Sequence, residues 1–155
     1  YNSPGQMVIS GDRESLSVAT ELARAKGAKR VIPLAVSAAF HSPLIAPIVE
    51  EFRRAVEKTP VREASIPVVA NVNARPVTAP EEIRQEMILQ LTSPVRWTDS
   101  VRYMIGQGVG NFVEIGPKNV LSGLIRRIDR SAGTVNLGTV EEVKAFLGLL
   151  DRREG

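Results

Sequence analysis

Phe112-Val113-Glu114-Ile115, then Gly116-Pro117, then Val120, Leu121, Leu124, Ile125 and Ile128 at helical spacing, is the stretch that decides how this chain folds. A short apolar run closed by a turn is a strand pattern, and a stripe recurring every three or four residues is the inward face of a helix. Thr134 to Leu137 reads as another strand. Thr139 with Glu142 then forms a capping box for a last helix carrying Val143, Phe146, Leu147 and Leu150. Strand, helix and strand in alternation predict an α/β fold with some parallel pairing.

The same alternation extends toward the N-terminus. Met7–Ser10 and the β-branched run Val31–Val36 read as strands flanking a helix that Asp12 caps, that carries Leu16, Ala19, Leu22 and Ala23, and that Gly27 ends. Ile45, Ile48, Val49, Phe52 and Val56 mark a long helix stopping before Pro60, and Pro67–Asn71 is a strand running into a loop. Thr78 and Glu81 form a second capping box, with Pro80 in the first turn, for a helix through Ile83, Met87, Ile88 and Leu91. Thr98 or Asp99 caps a further short helix with Val101, Met104 and Ile105 inward. No repeat or low-complexity linker divides the chain.

Composition narrows the chemistry. At 155 residues, 43% hydrophobic and 24% charged, the chain has the balance of a soluble globular domain. A net charge of +3 spread without like-charge blocks, one Trp, two Tyr and four Phe make a poor footprint for nucleic acid. No apolar run reaches the roughly 18 residues of a membrane span. With no cysteine there is no disulfide, thiolate nucleophile or Cys-ligated metal, and one histidine without a close acidic triplet assembles no metal shell. A cytoplasmic setting is compatible.

Gly106, Gly108 and Gly110 end a helix and precede a strand, the reverse of a phosphate-binding loop, so they read as a helix stop. Glu50-Glu51 and Glu81-Glu82 read as solvated helix faces. Arg126, Arg127 and Arg130, with Arg152 and Arg153 further on, suit a helix C-terminus electrostatically or, more sharply, dock an acidic partner. His41, within Ser37-Ala38-Ala39-Phe40-His41-Ser42, is the one side chain that titrates near neutrality when unperturbed, and it stands at a helix entrance. A general base needs a nucleophile. No Gly-x-Ser-x-Gly turn occurs, and Ser42 is a sequence neighbour poorly placed to meet the imidazole.

Six ordered motifs converge on one family: Asn2-Ser3-Pro4-Gly5-Gln6 leading to Val8-Ile9-Ser10-Gly11, Pro33-Leu34-x-Val36-Ser37 with Phe40-His41-Ser42, Asn71-Val72, Gln90-Leu91-x-x-Pro94-Val95-x-Trp97, Glu114-Ile115-Gly116-Pro117, and Val120-Leu121-x-Gly123-Leu124. Over nearly the whole chain they resemble the C-terminal half of malonyl-CoA:acyl carrier protein transacylase. The acyltransferase domain of a polyketide or multidomain fatty-acid synthase is a related alternative, and a non-catalytic structural or carrier-binding module is another.

The resemblance implies an α/β-hydrolase-like large domain with an inserted ferredoxin-like subdomain. Residues 1–36 would be the end of the insert and residues 37–155 the C-terminal part of the large domain. It implies ping-pong transfer of malonyl from coenzyme A through a serine ester to the phosphopantetheine thiol of acyl carrier protein in fatty acid biosynthesis, with both thioesters as substrates and no cofactor. His41 matches the catalytic base. Gln90 matches the residue whose carbonyl group holds the imidazole in its working tautomer, the role a carboxylate fills in a Ser-His-Asp triad. Phe40 matches the version of the motif that favours malonyl, and Asn2 and Gln6 match positions lining a substrate cleft. Lys118 departs from the glycine common after Gly-Pro and puts the turn geometry there in question. The family's nucleophile, oxyanion hole and carboxylate-gripping arginine have no match here. The resemblance therefore predicts an upstream half of about 130–150 residues as a partner, and an inactive chain without it.

Overall fold

The computed structural model describes residues 1–151, so Arg152 and Arg153 lie outside the described residues. The chain divides into two compact units, one of Tyr1 with Met7–Arg96 and one of Asn2–Gln6 with the chain from Trp97 onward.

In the first unit, helix α1 spans Arg13–Ala25. Asp12 caps it by accepting from the Ser15 amide at 2.8 Å, a bond that also holds this carboxyl below its ordinary range. Gly27, at φ +87°, ends it, with Gly27 N–H donating to Arg24 O and Ala28 N–H to Ala23 O. That bond pair is a Schellman stop. A 3₁₀ turn over Pro43–Ile45 leads into α2, Ala46–Lys58. Strands β1 (Val68–Val69) and β2 (Pro76–Val77) form an antiparallel hairpin, followed by α3, Pro80–Leu89. Val56, Ala70, Ala74, Val77 and Ile88 are the buried apolar residues here.

Several expectations fail in this unit. Met7–Ser10 and Val31–Val36 are irregular and largely exposed rather than strands, because neither finds a ladder partner among the described residues. Leu22 and Ile48, expected inward, are exposed. Thr78 does not cap α3: Ala79 precedes the helix with no side-chain bond, while the Thr78 carbonyl accepts from Ala64 N–H. The helix also stops at Leu89, short of Leu91.

The second unit opens with α4, Trp97–Gly106, so Thr98 and Asp99 sit inside its first turn rather than before it. The glycine stop is as expected: Gly108 takes φ +90°, and Val109 N–H donates to Met104 O. Strand β3, Asn111–Ile115, and strand β4, Gly133–Leu137, pair in parallel from Asn111 opposite Gly133 to Ile115 opposite Leu137. Helix α5, Val120–Ile128, is the crossover between them. Its N-terminus is capped from the end of β3, where the Glu114 carboxylate accepts from Leu121 N–H at 3.0 Å and Ser122 N–H at 2.8 Å. The neighbouring Ser122 hydroxyl and these two amides hold Glu114 below its ordinary value. The hydroxyl itself makes no hydrogen bond of good geometry, so the amides are the firm contacts.

Lys118, in the turn after Gly116-Pro117, adopts the left-handed φ +70° that glycine takes most readily. Helix α6, Val140–Asp151, carries the expected capping box: Thr139 N–H donates to Glu142 and Glu142 N–H donates back to the Thr139 hydroxyl at 3.2 Å. Val101, Leu124, Ile125 and Leu137 form the core. Val120, Leu121, Leu147 and Leu150, expected inward, are exposed. Among the described residues no helix is long and apolar enough to cross a membrane.

Candidate active site

His41 stands in the irregular segment between Val36 and the 3₁₀ turn, with its backbone in the left-handed region at φ +60°. Few non-glycine residues adopt that conformation, and those that do cluster at functional sites. Two bonds to the end of α3 hold it. Its backbone N–H donates to Leu91 O at 3.0 Å, and its ring Nδ1 lies 2.7 Å from the main-chain oxygen of Gln90, the residue that caps α3. Carbonyls at a helix C-terminus have lost their intrahelical donors, so this one is free to serve the imidazole.

A carbonyl oxygen only accepts, so Nδ1 carries the hydrogen. The lone pair of the neutral ring then falls on Nε2, on the exposed side chain. That tautomer and that accessible atom are what a general base requires.

Ser42 is no nucleophile for this base. Its buried hydroxyl donates to Ala39 O at 2.7 Å and accepts from Leu44 N–H, capping the 3₁₀ turn. Phe40 is 49% exposed beside His41, so its ring is available at the surface rather than locked in a core.

Gln90 meets His41 through its main chain, which leaves its side chain able to bond elsewhere, and its Oε1 accepts from Asn71 Nδ2 at 2.9 Å. Sequence reasoning does not single out Asn71 and Glu86 as site residues. The available signals are the spacing of Glu86 and Gln90, four apart along α3 and its C-cap, and the Asn71-Val72 motif.

The other candidates lie in the second unit. Ser3-Pro4-Gly5-Gln6 is a tight turn with Pro second and Gly5 at φ +76° third, the type II pattern, closed by Gln6 N–H to Ser3 O at 2.9 Å. Asn2 N–H donates to Gln6 O, and the Gln6 side-chain oxygen accepts from Arg127. Arg126 donates to the Thr134 hydroxyl at 2.7 Å, and Arg130 is exposed just past the end of α5. Among the described residues no three His, Cys, Asp or Glu side chains gather in a way that would hold a metal ion.

Comparison with known proteins gives this geometry a family. The chain is similar to the malonyl CoA-acyl carrier protein transacylase of Bacillus subtilis, 41% identical over 149 residues, which is 96% of this chain and 47% of that protein. Among solved structures, an acyl carrier protein S-malonyltransferase from Vibrio cholerae superposes with a TM-score of 0.89 at 38% identity, over 94% of this chain and 48% of that one. A malonyl-transacylase in complex with its type II polyketide synthase acyl-carrier protein gives a TM-score of 0.88 at 38% identity, over 94% and 47%. The chain thus spans about half the length of the relatives it matches. The acyl transferase domain family itself matches residues 1–152, and the chain belongs to that family.

Proposed function

We propose that this chain is the base-bearing, C-terminal half of a malonyl-CoA:acyl carrier protein transacylase of fatty acid biosynthesis. The observation that carries the reading is the 2.7 Å bond from His41 Nδ1 to the Gln90 carbonyl, which leaves Nε2 as the basic atom.

In this reading a serine outside the chain attacks the malonyl thioester of coenzyme A while His41 Nε2 takes its proton. The carbon–sulfur bond breaks, the coenzyme A thiolate leaves with that proton, and malonyl-serine remains. The carrier's phosphopantetheine thiol then loses its proton to Nε2 and attacks the ester, and the serine oxygen leaves protonated. A neutral carbonyl stabilises imidazolium less than a triad carboxylate does, which is acceptable when the first leaving group is a thiolate. Coenzyme A and phosphopantetheine enter as substrates, and no resident cofactor or metal is needed. Phe40, beside the base, would crowd an α-methyl substituent and favour malonyl. Asn2 and Gln6 remain candidates for substrate contact, and Arg126, Arg127 and Arg130 for docking an acidic carrier.

Residues 1–36 then end a ferredoxin-like insert, and residues 37–155 belong to an α/β-hydrolase-like domain completed by an upstream half. Uncovered apolar surface supports this. Parallel sheets are normally covered on both faces, yet Val113, Ile115 and Val135 of the β3–β4 pair are exposed, as are Met7, Ile9, Ile32, Leu34 and Val36. Losing one oxyanion-hole donor alone lowers a rate about 10²–10³-fold, so without nucleophile and hole the chain by itself should transfer nothing. The test is malonyl transfer by the complete enzyme, by the same enzyme with His41→Ala, and by the chain alone. Activity in the first only is expected. Transfer by the chain alone, or normal turnover with His41→Ala, would overturn the proposal.

A further inference from the structure

The hydrogen bond from His41 to the Gln90 carbonyl is only as well defined as the peptide that presents the carbonyl. That peptide lies at the end of α3, past the last helical residue, where backbones fray. The structure supplies a restraint there. The loop of the β1–β2 hairpin is closed on itself by Ala70 N–H to Arg75 O at 2.8 Å and Ala74 N–H to Ala70 O at 3.1 Å, with Ala74 at φ +55°. The Glu86 carboxylate, on the last turns of α3, accepts from the loop's Asn71 N–H at 2.7 Å and Val72 N–H at 3.1 Å. Asn71 O accepts in turn from Arg96 N–H at 2.9 Å, and Asn71 Nδ2 reaches Gln90 Oε1. Asn71 is therefore bonded through its amide, its carbonyl and its side chain, and the side chain ends on the residue that orients the base.

We infer that Asn71, anchored by Glu86, is a positioning residue that straps Gln90 and thereby fixes the tautomer and aim of His41. It touches no substrate and acts only through Gln90. The inference rests on the proposed transacylase reading for its kinetic consequence, but not for its structural one. Glu86 is four residues before Gln90 on one helical face, so the loop is gripped at both ends of a single turn. A charge-assisted bond to two amides makes the anchor stiffer than neutral pairing would.

The test uses the complete enzyme with Asn71→Leu and Gln90→Met, near-isosteric changes that remove the donor and the acceptor, and with Gln90→Glu, which keeps an acceptor. In ¹⁵N-histidine-labelled protein the His41 signals are those missing from His41→Ala, and their shifts report the tautomer. Both breaking variants should lower the Nδ1–H fraction at least twofold. They should also reduce kcat about 10- to 100-fold, the scale of a misplaced reacting group, with KM for malonyl-CoA within about twofold. The double variant should be no worse than the worse single one, and Gln90→Glu, which keeps the acceptor for Asn71, should restore the tautomer ratio that Gln90→Met loses. Wild-type tautomer ratio and kcat in Gln90→Met overturns the strap, and this variant decides alone if Asn71→Leu fails to fold. If His41→Ala turns over normally, the transacylase reading fails and the tautomer ratio by itself decides the strap.

Discussion

Replacing His41 with glycine should leave a more stable protein than replacing it with alanine, although both remove the same side chain. The backbone at φ +60° is in the left-handed region, which costs an L-residue about 1–2 kcal/mol and glycine almost nothing. Either substitution forfeits the bond to Gln90 O, about 0.5–1.5 kcal/mol net, while the backbone bond to Leu91 O survives both. Alanine keeps the strain. Glycine relieves it and gives back about 0.4–1 kcal/mol through its freer unfolded chain. The difference is about 0.8 kcal/mol in favour of glycine, or about 2–3 °C in Tm for a chain of this size. His41→Gly should thus lie near wild type in stability and His41→Ala below both, with neither active. Urea unfolding followed by circular dichroism measures this. Alanine equal to or more stable than glycine would mean that the backbone at this position is not held left-handed.

Three further outcomes follow from single positions. Phe40→Ser should raise the use of methylmalonyl-CoA relative to malonyl-CoA in the complete enzyme, read as the ratio of kcat/KM values; an unchanged ratio removes Phe40 from selectivity. Lys118→Gly should hold or raise the urea midpoint, whereas Lys118→Val, a β-branched residue at φ +70°, should fall below wild type, and equal midpoints would contradict the left-handed assignment. Glu114 is held below its ordinary 4.5 by Ser122 and Leu121, so its contribution to stability is complete above that value and fades as pH falls through the lowered one. Glu114→Gln should therefore be less stable at neutral pH and converge on wild type in acid; parallel pH profiles would show that the carboxylate does not cap α5.

Legibility from sequence followed the range of the interactions. The Gly27 and Gly108 stops and the Thr139–Glu142 box are set within a few residues of themselves and are readable, and the β3–α5–β4 crossover shows in its alternating strand and helix patterns although its strands pair from Asn111 opposite Gly133. Met7–Ser10 and Val31–Val36 are not readable, because a strand exists only with a partner, and none is present among the described residues. The Thr78 box fails because α3 begins at Pro80, one residue later than the box requires, which leaves Ala79 at the cap. In the site, His41 and Gln90 were identified through family motifs. That the oriented bond uses the Gln90 main chain, freeing its side chain for Asn71, was invisible, since a residue name does not say which of its oxygens a distant loop will claim.

The central claim is that His41 Nε2 moves the proton in both halves of malonyl transfer. Single-turnover transfer from malonyl-CoA to phosphopantetheinylated carrier protein, measured in the complete enzyme with and without His41→Ala, tests it most directly. A fall of about 10²–10⁴-fold in the rate of malonyl-serine formation, the usual worth of a positioned general base, is the predicted result. A rate within a few-fold of wild type would contradict it.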